Sequence, residues 1–431
     1  MGNSYRFTGS VPNARFHALQ SFLMNLPFVT AEYPGIGGVI KQRAEDFFVQ
    51  EIPLYEPSGE GEHVYCEIEK LGLTTFDAID RIARALNISA RDIGYAGMKD
   101  ASAITRQVLS IPNTTEEAVM NLHLPQMSVK WAARHGNKLR LGHLRGNRFA
   151  IKIRQVNATD VVKIAPVVKR LQERGMPNYF GEQRFGRRGN NHLLGAALLR
   201  GDGEAALKIF LGSPDKSLDN PQQRSAREAF ERGEFAASMK LWPRSSGMER
   251  RILARFIKSK NASGAIRMLD QRIRRLCISA LQSDLFNQVV ARRIDSLDKL
   301  LVGDLAEKHD NGAVFRVTDA AAEQARCDAF EISPTGPLIG YRMTLPEGEA
   351  LKIEQEIFES KHLQPGDFRV AGQLKIKGAR RTLRVRPEDV ELAGGVDEHG
   401  PHVTAAFTLP AGSFATVFLR ELMKGESESS E

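Results

Sequence analysis

Apolar residues recur along the first part of the chain with the two periods that distinguish strands from helices. The segment 47–52 alternates as a strand does, with Phe47, Val49 and Glu51 on one side. Strands are also predicted for 63–70, 105–111 and 146–156, the last two as a pair. These segments predict the strands of a sheet.

Helical spacing appears between the predicted strands. The segment 74–86 predicts an amphipathic helix with Thr74 or Thr75 as its N-cap, and 160–175 predicts a helix ended by a glycine. The apolar positions predicted for the first of these helices are Phe76, Ile79, Ile82 and Leu86. A lead-in helix is compatible with 16–26. Strands and helices mix without a regular βαβ rhythm, which predicts an α+β fold.

The pattern changes in the middle of the chain. Helix-forming segments dominate from 205 to 294, and β-prone sequence returns at 380–395 and 401–422. This order predicts a mostly helical domain inserted into an α+β domain. The predicted boundaries are 1–182, 183–380 and 381–431, with a disordered acidic tail at 425–431.

Composition narrows the class of protein. The 42% hydrophobic and 26% charged residues are typical of globular proteins and exclude collagen-like, wholly disordered and membrane-embedded classes. The first ten residues predict no secretory signal. Cys66, Cys277 and Cys327 are widely spaced, which predicts neither a disulfide framework nor a thiolate metal site. We therefore expect a cytoplasmic location.

The positive charge is concentrated in one stretch. Ten Lys or Arg residues lie between Arg244 and Arg275 against only Glu249 and Asp270, a surplus that equals the net charge of +8 for the whole chain. A local basic surface attracts a polyanion such as a nucleic-acid backbone. A solvated helix face is the alternative interpretation.

Candidate chemistry is confined to a few motifs. The chain contains no GxxxxGK[ST] loop, GxGxxG turn, GxSxG elbow or HExxH pair. The informative segment is IGYAGMKDASAITRQ, in which Gly94 and Gly97 flank Tyr95 and allow a tight turn or the close approach of another backbone. Asp100 follows Lys99 on this predicted loop, where a carboxylate can serve as nucleophile or base.

Five segments in the same order resemble the TruD family of transfer-RNA pseudouridine synthases. The first two are KxxxEDFxVxE at 41–51 and GYAGMKD at 94–100 with TRQ after it. The others are GNRF at 146–149, PNYFGEQRFG at 177–186 and LPAGSFATVFLREL at 409–422. The resemblance spans most of the chain, and it extends to the insertion through 279–294. It implies a pseudouridine synthase domain with a mixed, mainly antiparallel sheet, and uridine 13 of tRNA as substrate.

Carried over residue by residue, the resemblance implies a catalytic site. Asp100 corresponds to the catalytic aspartate, and Lys41 to a basic partner near it. Phe47, Asn147 and Phe149 correspond to the residues that line the uridine pocket. The reaction involves no redox step, so no cofactor or metal is expected.

Each assignment has a structural alternative. Lys41 fits an ordinary surface lysine at the end of a strand, Phe149 a core position on an alternating strand, and Asn147 a turn. One of the two phenylalanines at 47–48 would be buried in any case. For Arg184 we expect a structural task, holding a phosphate or a carboxylate.

The expected partner is tRNA, bound by a protein that needs no membrane and no second subunit. Five basic residues are predicted to contact the RNA backbone: Arg184, Arg250, Arg251, Arg255 and Lys258. Two other functions stay open at this point. One is a non-catalytic RNA-binding or chaperone protein that uses the same cleft, and the other is a hydrolase that releases free uracil.

Overall fold

The computed structural model describes residues 26–369 and 376–425. The predicted lead-in helix and acidic tail lie outside the described residues, apart from Leu26 and Gly425. Two compact units account for the described chain. We call residues 28–178 with 384–425 the sheet unit, and residues 26–27 with 179–383 the helical unit.

The first segment of the sheet unit alternates strands and helices. Its strands are β1 (Phe47–Pro53), β2 (His63–Leu71), β3 (Gly94–Tyr95), β4 (Ile104–Pro112), β5 (Met127–His135), β6 (Leu144–Arg154) and β7 (Met176–Pro177). Its helices are α1 (Thr75–Ala85), α2 (Glu116–Met120) and α3 (Val161–Arg174).

The helical unit follows, and the chain then returns to the sheet unit. The helices of the helical unit are α4 (Asn191–Arg200), α5 (Gly203–Leu211), α6 (Pro221–Glu231), α7 (Phe235–Leu241), α8 (Gly247–Ser259), α9 (Ala262–Ile266), α10 (Gln271–Arg292), α11 (Ala320–Asp328) and α12 (Gly348–Ser360). Its strands are β8 (Leu305–Lys308), β9 (Val314–Arg316), β10 (Ile332–Leu338) and β11 (Ala379–Thr382). The returning segment adds β12 (Arg384–Val385), β13 (Glu388–Asp397), β14 (Gly400–Pro410) and α13 (Ala415–Met423).

The sheet unit is built on one eight-stranded sheet. Its strand order is β13-β14-β6-β1-β4-β2-β5, and β3 pairs with β4. Strands β1 and β4 run parallel, and the other pairs are antiparallel. The prediction of an α+β fold with a mixed, mainly antiparallel sheet is therefore confirmed. The predicted pairing of 105–111 with 146–156 is wrong, because β1 lies between β4 and β6 and bonds to both.

One face of this sheet is covered by α1. Thr74 caps the helix, with its side chain accepting from the Asp77 N–H and the Asp77 side chain accepting from the Thr74 N–H. Ile79 and Ile82 are buried against β2 and β4, as their spacing predicts. Phe76 is 53% exposed, so its assignment to the apolar face is wrong. It packs edge-on against Tyr95 instead.

The last part of the chain folds back into the sheet unit. The β-prone segment 401–422 is only half strand, because its second half forms α13. This helix is buried on almost all sides, through Arg420 and Glu421 as well as Val417, Phe418 and Leu422. Phe418 packs on Phe407 of β14 with 4.2 Å between ring centroids.

The helical unit contains a small sheet that the sequence pattern did not reveal. Strands β11, β10, β8 and β9 form it in that order. Its strands are three to seven residues long, too short for a clear alternation. The helices predicted between 205 and 294 are present, and α10, with 22 residues, is the longest among them.

The remaining general expectations concern membranes and thiols. Among the described helices, none has the length and apolarity needed to cross a membrane. The thiols of Cys66, Cys277 and Cys327 are buried, and no disulfide joins any two of them.

Helices α4 and α10 approach closely at Gly195, and this contact gives a first prediction. A methyl group at Gly195 would overlap the backbone carbonyl of Cys277. We expect Gly195→Ala to lower the free energy of unfolding by about 1–3 kcal/mol, because both groups belong to packed helices. Chemical denaturation measures the change. Gly247→Ala is the control, since its added methyl meets nothing within 4 Å. Equal stabilities of the two variants would contradict the proposed packing.

Candidate active site

The GYAGMKD segment begins with β3, which pairs with β4, and continues into the loop that leads to β4. Gly94 pairs with Ser110, and a methyl group added at Gly94 would overlap the backbone carbonyl of Leu139. Only glycine fits this position. A methyl group added at Gly97 would meet only Lys99 Nζ, at 3.8 Å, and Gly97 has no positive φ, so neither a tight turn nor a close backbone approach requires it.

Asp100 lies at the end of this segment in a defined hydrogen-bonding environment. Lys41 Nζ contacts its Oδ2 at 2.6 Å, and the Ser102 N–H donates to its Oδ1 at 3.0 Å. The carboxylate side chain is 36% exposed, so a ligand can reach it. Partial burial acts to raise the pKa of Asp100, but the charge and hydrogen bond of Lys41, with the backbone N–H groups of Ser102 and Ala101, lower it below its ordinary value. Asp100 is therefore ionised near neutral pH.

Lys41 is fixed by its own surroundings. Its side chain is only 10% exposed, and its Nζ lies 4.5 Å from the ring centroid of Phe47. The backbone of Lys41 has a φ of 58°, a conformation that few non-glycine residues adopt. The structure therefore brings Lys41, Phe47 and Asp100 together. Lys41 is not the ordinary exposed lysine that the alternative interpretation required.

A second, more deeply buried charged group lies beside the first. The Lys99 Nζ is 2.8 Å from Glu51 Oε2 and donates to Asn147 Oδ1 at 2.8 Å. The side chains of Lys99 and Glu51 are 6% and 1% exposed. Burial raises the pKa of Glu51, and the charge of Lys99 acts in the opposite direction. Glu51 and Asn147 are direct partners in the register of β1 and β6, so they lie on the same face of the sheet.

The backbone of the segment is held by two further side chains. The Lys99 N–H donates to the Thr75 hydroxyl at 2.9 Å. Lys70, 1% exposed, donates to the carbonyl of Leu73 at 2.6 Å and to that of Asp100 at 3.3 Å. Burial lowers the pKa of Lys70 to about 8, while the Asp100 carboxylate acts to raise it. Lys70 is thus a buried cation that holds the Asp100 backbone.

Phe149 belongs to the same face of β6 but to its core. It lies two residues beyond Asn147, opposite Val49 and Phe407 in the strand register. Its ring stacks on that of Phe407, with 5.3 Å between centroids and 26° between planes, and it is 7% exposed. Phe149 is therefore a buried core residue on the strand that carries Asn147.

Arg184 lies in the helical unit, on a short 3-10 helix at Glu182–Phe185. Its guanidinium donates to the hydroxyls of Ser279 and Ser283 on α10, at 3.1 Å for Ser283. Burial lowers its pKa. Two serine hydroxyls thus occupy positions where a phosphate or carboxylate was expected.

The predicted basic residues fall into two groups on α8. Arg251, Arg255 and Lys258 are exposed, and their spacing of four and three places them along one side of the helix. We call these three residues the α8 basic face. Arg250 points elsewhere, because its guanidinium donates to the carbonyls of Met239 and Trp242 at 3.1 and 2.9 Å at the end of α7.

Sequence reasoning assigned no role to Lys70, Lys99 or Glu51. A signal existed for Glu51, since its alternation with Phe47 and Val49 places a carboxylate on a buried face, where it needs a cation. Nothing in the pattern identified which lysine supplies that cation.

Comparisons with known proteins agree over almost the whole chain. The family model described as tRNA pseudouridine synthase D (TruD) matches residues 24–422. Curated proteins named tRNA pseudouridine synthase D from Geotalea daltonii and Geobacter metallireducens are each 49% identical to this chain. Both alignments cover 92% of this chain, and they cover 99% of the first relative and 98% of the second. A solved structure from Methanosarcina mazei with the same family name is 27% identical, with a TM-score of 0.82 over 96% of this chain and 99% of that one.

The electrostatic role of Lys41 gives a prediction about Asp100. We expect Lys41→Met to raise the pKa of Asp100, because the variant removes the cation that favours the ionised carboxylate while the burial remains. A pH titration of the protein with ¹³C-labelled aspartate measures this pKa, and Asp100→Asn identifies the signal.

Lys130→Met is the matched control for this titration. Lys130 also pairs with a carboxylate, Glu69, at 2.9 Å, on the opposite face of the same sheet. It should leave the pKa of Asp100 unchanged. A pKa of Asp100 that is the same in Lys41→Met as in the wild type would show that Lys41 does not control its ionisation.

Proposed function

Because this chain belongs to the TruD family and converts uridine in tRNA to pseudouridine, we propose that its target is uridine 13 and that Asp100 is the catalytic carboxylate. The observation that carries the second part is the Lys41–Asp100 pair, in which a cation at 2.6 Å keeps an accessible carboxylate ionised. An ionised carboxylate is the form that acts as a nucleophile or a base.

The reaction itself explains the residue types at the site. The bond between N1 of uracil and C1′ of ribose breaks, the base turns over, and C5 bonds to C1′. The hydrogen on C5 leaves as a proton and N1 gains one, so the conversion is an isomerisation without a net change of oxidation state. The detached base must stay beside the ribose while it turns. This requirement favours a pocket with one reactive carboxylate and few mobile groups.

We assign Phe47, Asn147 and Phe149 to the uridine pocket. A base within a folded RNA reaches such a pocket by flipping out of its stack. Phe149, supported from behind by Phe407, would present the rest of its ring to the uracil, and Asn147 would hydrogen-bond its edge. Phe47, which already carries Lys41 on its ring, would line the side nearest Asp100.

The two parts of the chain would have different functions, catalysis and tRNA binding. Residues 1–182 and 381–431 form the catalytic domain in this proposal, and 183–380 form an insertion that binds the tRNA backbone. All the residues proposed for catalysis and for the uridine pocket lie within the sheet unit. The α8 basic face would contact phosphates, while Arg250 serves the fold by capping α7. The protein would act in the cytoplasm as a monomer, since one chain supplies the whole set.

The non-catalytic chaperone is not favoured. Membership in a family of tRNA pseudouridine synthases argues for catalysis. A protein that only binds RNA also has no need to hold an ionised carboxylate at an accessible position, because that charge repels phosphate.

The catalytic assignment is tested with Asp100→Asn, which keeps the size of the side chain and removes its charge. We expect release of tritium from C5-labelled uridine in tRNA to fall by at least a thousandfold, since no other carboxylate takes the role. The affinity for tRNA should stay within about threefold of the wild-type value, because no phosphate contact is lost. Mapping of pseudouridine in the product RNA tests position 13 separately.

Lys130→Met is the control variant here as well, and it should keep wild-type turnover. Wild-type turnover in Asp100→Asn would exclude the proposed catalytic role. A product map without pseudouridine at position 13 would exclude the proposed target while leaving the role of Asp100 open to the first test.

The RNA-binding assignment is tested with the combined variant Arg251→Gln, Arg255→Gln and Lys258→Gln. We expect weaker tRNA binding and a shallower dependence of log Kd on log salt, because fewer phosphate contacts form and fewer counterions are released on binding. The melting temperature should not change, since these side chains are exposed.

Lys208→Gln with Lys240→Gln serves as the control for loss of charge, as both lysines are exposed in the same unit but lie outside the α8 basic face. Arg250→Gln should instead lower the melting temperature, because it leaves two helix-end carbonyls without their donor. An unchanged salt slope in the triple variant would mean that the α8 basic face does not contact RNA.

A further inference from the structure

Asn147 is held by a buried ion pair that the reaction chemistry does not explain. Lys99 Nζ is 2.8 Å from both Glu51 Oε2 and Asn147 Oδ1. The side chains of Lys99 and Glu51 are almost completely inaccessible, so neither can be the group that a substrate touches first. Their common neighbour with more exposure is Asn147, which is only partly buried.

The lysine determines which way the amide of Asn147 faces. An ammonium group has three donors and no acceptor, so only the carbonyl oxygen of an asparagine amide can face it. A reversed amide would place an N–H2 donor against an ammonium donor. The Asn147 N–H2 must therefore face away from Lys99. Among the described residues, no group accepts a hydrogen bond from this N–H2.

We propose that Lys99 and Glu51 are positioning residues that fix Asn147 as a hydrogen-bond donor toward O4 of the bound uridine, and that this donor selects uracil over cytosine. The inference rests on the proposed function, since it takes Asn147 to line the uridine pocket. Glu51 holds Lys99 in place, and Lys99 holds the amide. Asn147 is then the residue that reads the base.

Uracil fits a fixed donor throughout the reaction because of its symmetry. Its N3–H is flanked by two carbonyls, O2 and O4. Turning the ring over about the line from C6 to N3 exchanges N1 with C5, which is the exchange that the reaction needs. The same turn exchanges O2 with O4. A donor that meets one carbonyl before the turn therefore meets the other carbonyl after it.

Cytosine does not have this symmetry. It carries an amino group at C4 in place of O4, so a donor fixed toward that position would face an N–H2 group as soon as the base binds, before any turn. Two donors facing each other leave both without an acceptor, and a site that is built for one hydrogen-bonding pattern rejects the other strongly. A fixed donor at Asn147 therefore disfavours the binding of cytosine. An amide that was free to reverse could turn its oxygen toward the amino group and bind cytosine as well.

The test compares the binding of two tRNAs that differ only in the target nucleotide, uridine or cytidine. All proteins carry Asp100→Asn so that uridine is not converted during the measurement. We expect this reference protein to bind the uridine tRNA about tenfold more tightly than the cytidine tRNA. Adding Asn147→Asp keeps the size of the side chain and a partner for Lys99, but it offers an acceptor to the base. The preference should then disappear or reverse in favour of cytidine.

A second pair of variants tests the positioning role. Lys99→Met, in the same background, frees the amide of Asn147 to reverse and should reduce the preference for uridine to about twofold or less. Lys99→Arg retains a cationic donor and should restore most of it. Lys130→Met removes a lysine from a Lys–Glu pair on the opposite face of the sheet and should leave the preference unchanged. If Lys99→Met does not fold, Glu51→Gln replaces it, because this variant removes the charge that holds Lys99 and should reduce the preference for uridine in the same way.

The outcomes separate this inference from its premise. If the wild-type protein forms no pseudouridine in tRNA, the proposed function is wrong and the inference falls with it. If pseudouridine forms but Asn147→Asp, folded as judged by its melting curve, keeps the full preference for uridine, Asn147 does not read the base. If Asn147→Asp loses the preference but folded Lys99→Met keeps it, the amide does not depend on Lys99 for its orientation.

Discussion

The buried carboxylate of Glu51 is the constraint on which the rest of the site depends. It lies on the covered face of the sheet with 1% of its side chain exposed, where an unpaired charge would cost several kcal/mol. Lys99 must therefore reach inward to it. Once Lys99 is fixed at its side chain by Glu51 and at its backbone by Thr75, the next residue has little freedom. The position of Asp100 thus follows from a charge that takes no part in the proposed chemistry.

Three lysines surround this segment, and each contacts a different kind of group. Lys41 contacts the Asp100 carboxylate and acts to lower its pKa. Lys70 contacts backbone carbonyls and holds the chain. Lys99 contacts a buried carboxylate and an amide. Of the three, Lys41 acts most strongly to favour the deprotonated form of Asp100. These cations are not interchangeable, because their distances and partners differ.

The sequence predicted what depends on local pattern. The alternation of β6 and the helical spacing of Ile79 and Ile82 in α1 were sufficient to predict buried faces. Strand order was not predictable, because the place of β1 between β4 and β6 is set by long-range packing that no local pattern encodes. α13 was mistaken for a strand because Thr416, Val417 and Phe418 are residue types with a high strand propensity, while the helix is stabilised by tertiary burial.

The same distinction explains the candidate site. Asp100, Lys41, Phe47, Asn147 and Phe149 were named from their resemblance to a family motif, and all five belong to the sheet unit. Lys99 and Glu51 belong to the same motifs but received no role, because their importance lies in a contact between two loop and strand positions 48 residues apart. Only the folded structure brings these two residues together. Conversely, the basic stretch looked uniform in sequence, yet the structure separates Arg250, which caps a helix, from its exposed neighbours.

Adjacent residues with opposite charges make the length of the GYAGMKD segment critical. Lys99 extends toward Glu51 and Asn147, and Asp100 extends toward Lys41. Gly94 fixes one end of the segment, because only glycine fits against Leu139. The Thr75 hydroxyl fixes the other end through the Lys99 N–H. Deleting one residue between these ends would move Asp100 to the position of Lys99, beside the buried Glu51. Inserting one residue would move Lys99 to the position of Asp100, beside Lys41. Both arrangements bring like charges together in a partly buried site, and so the electrostatics themselves select the register that makes Asp100 available.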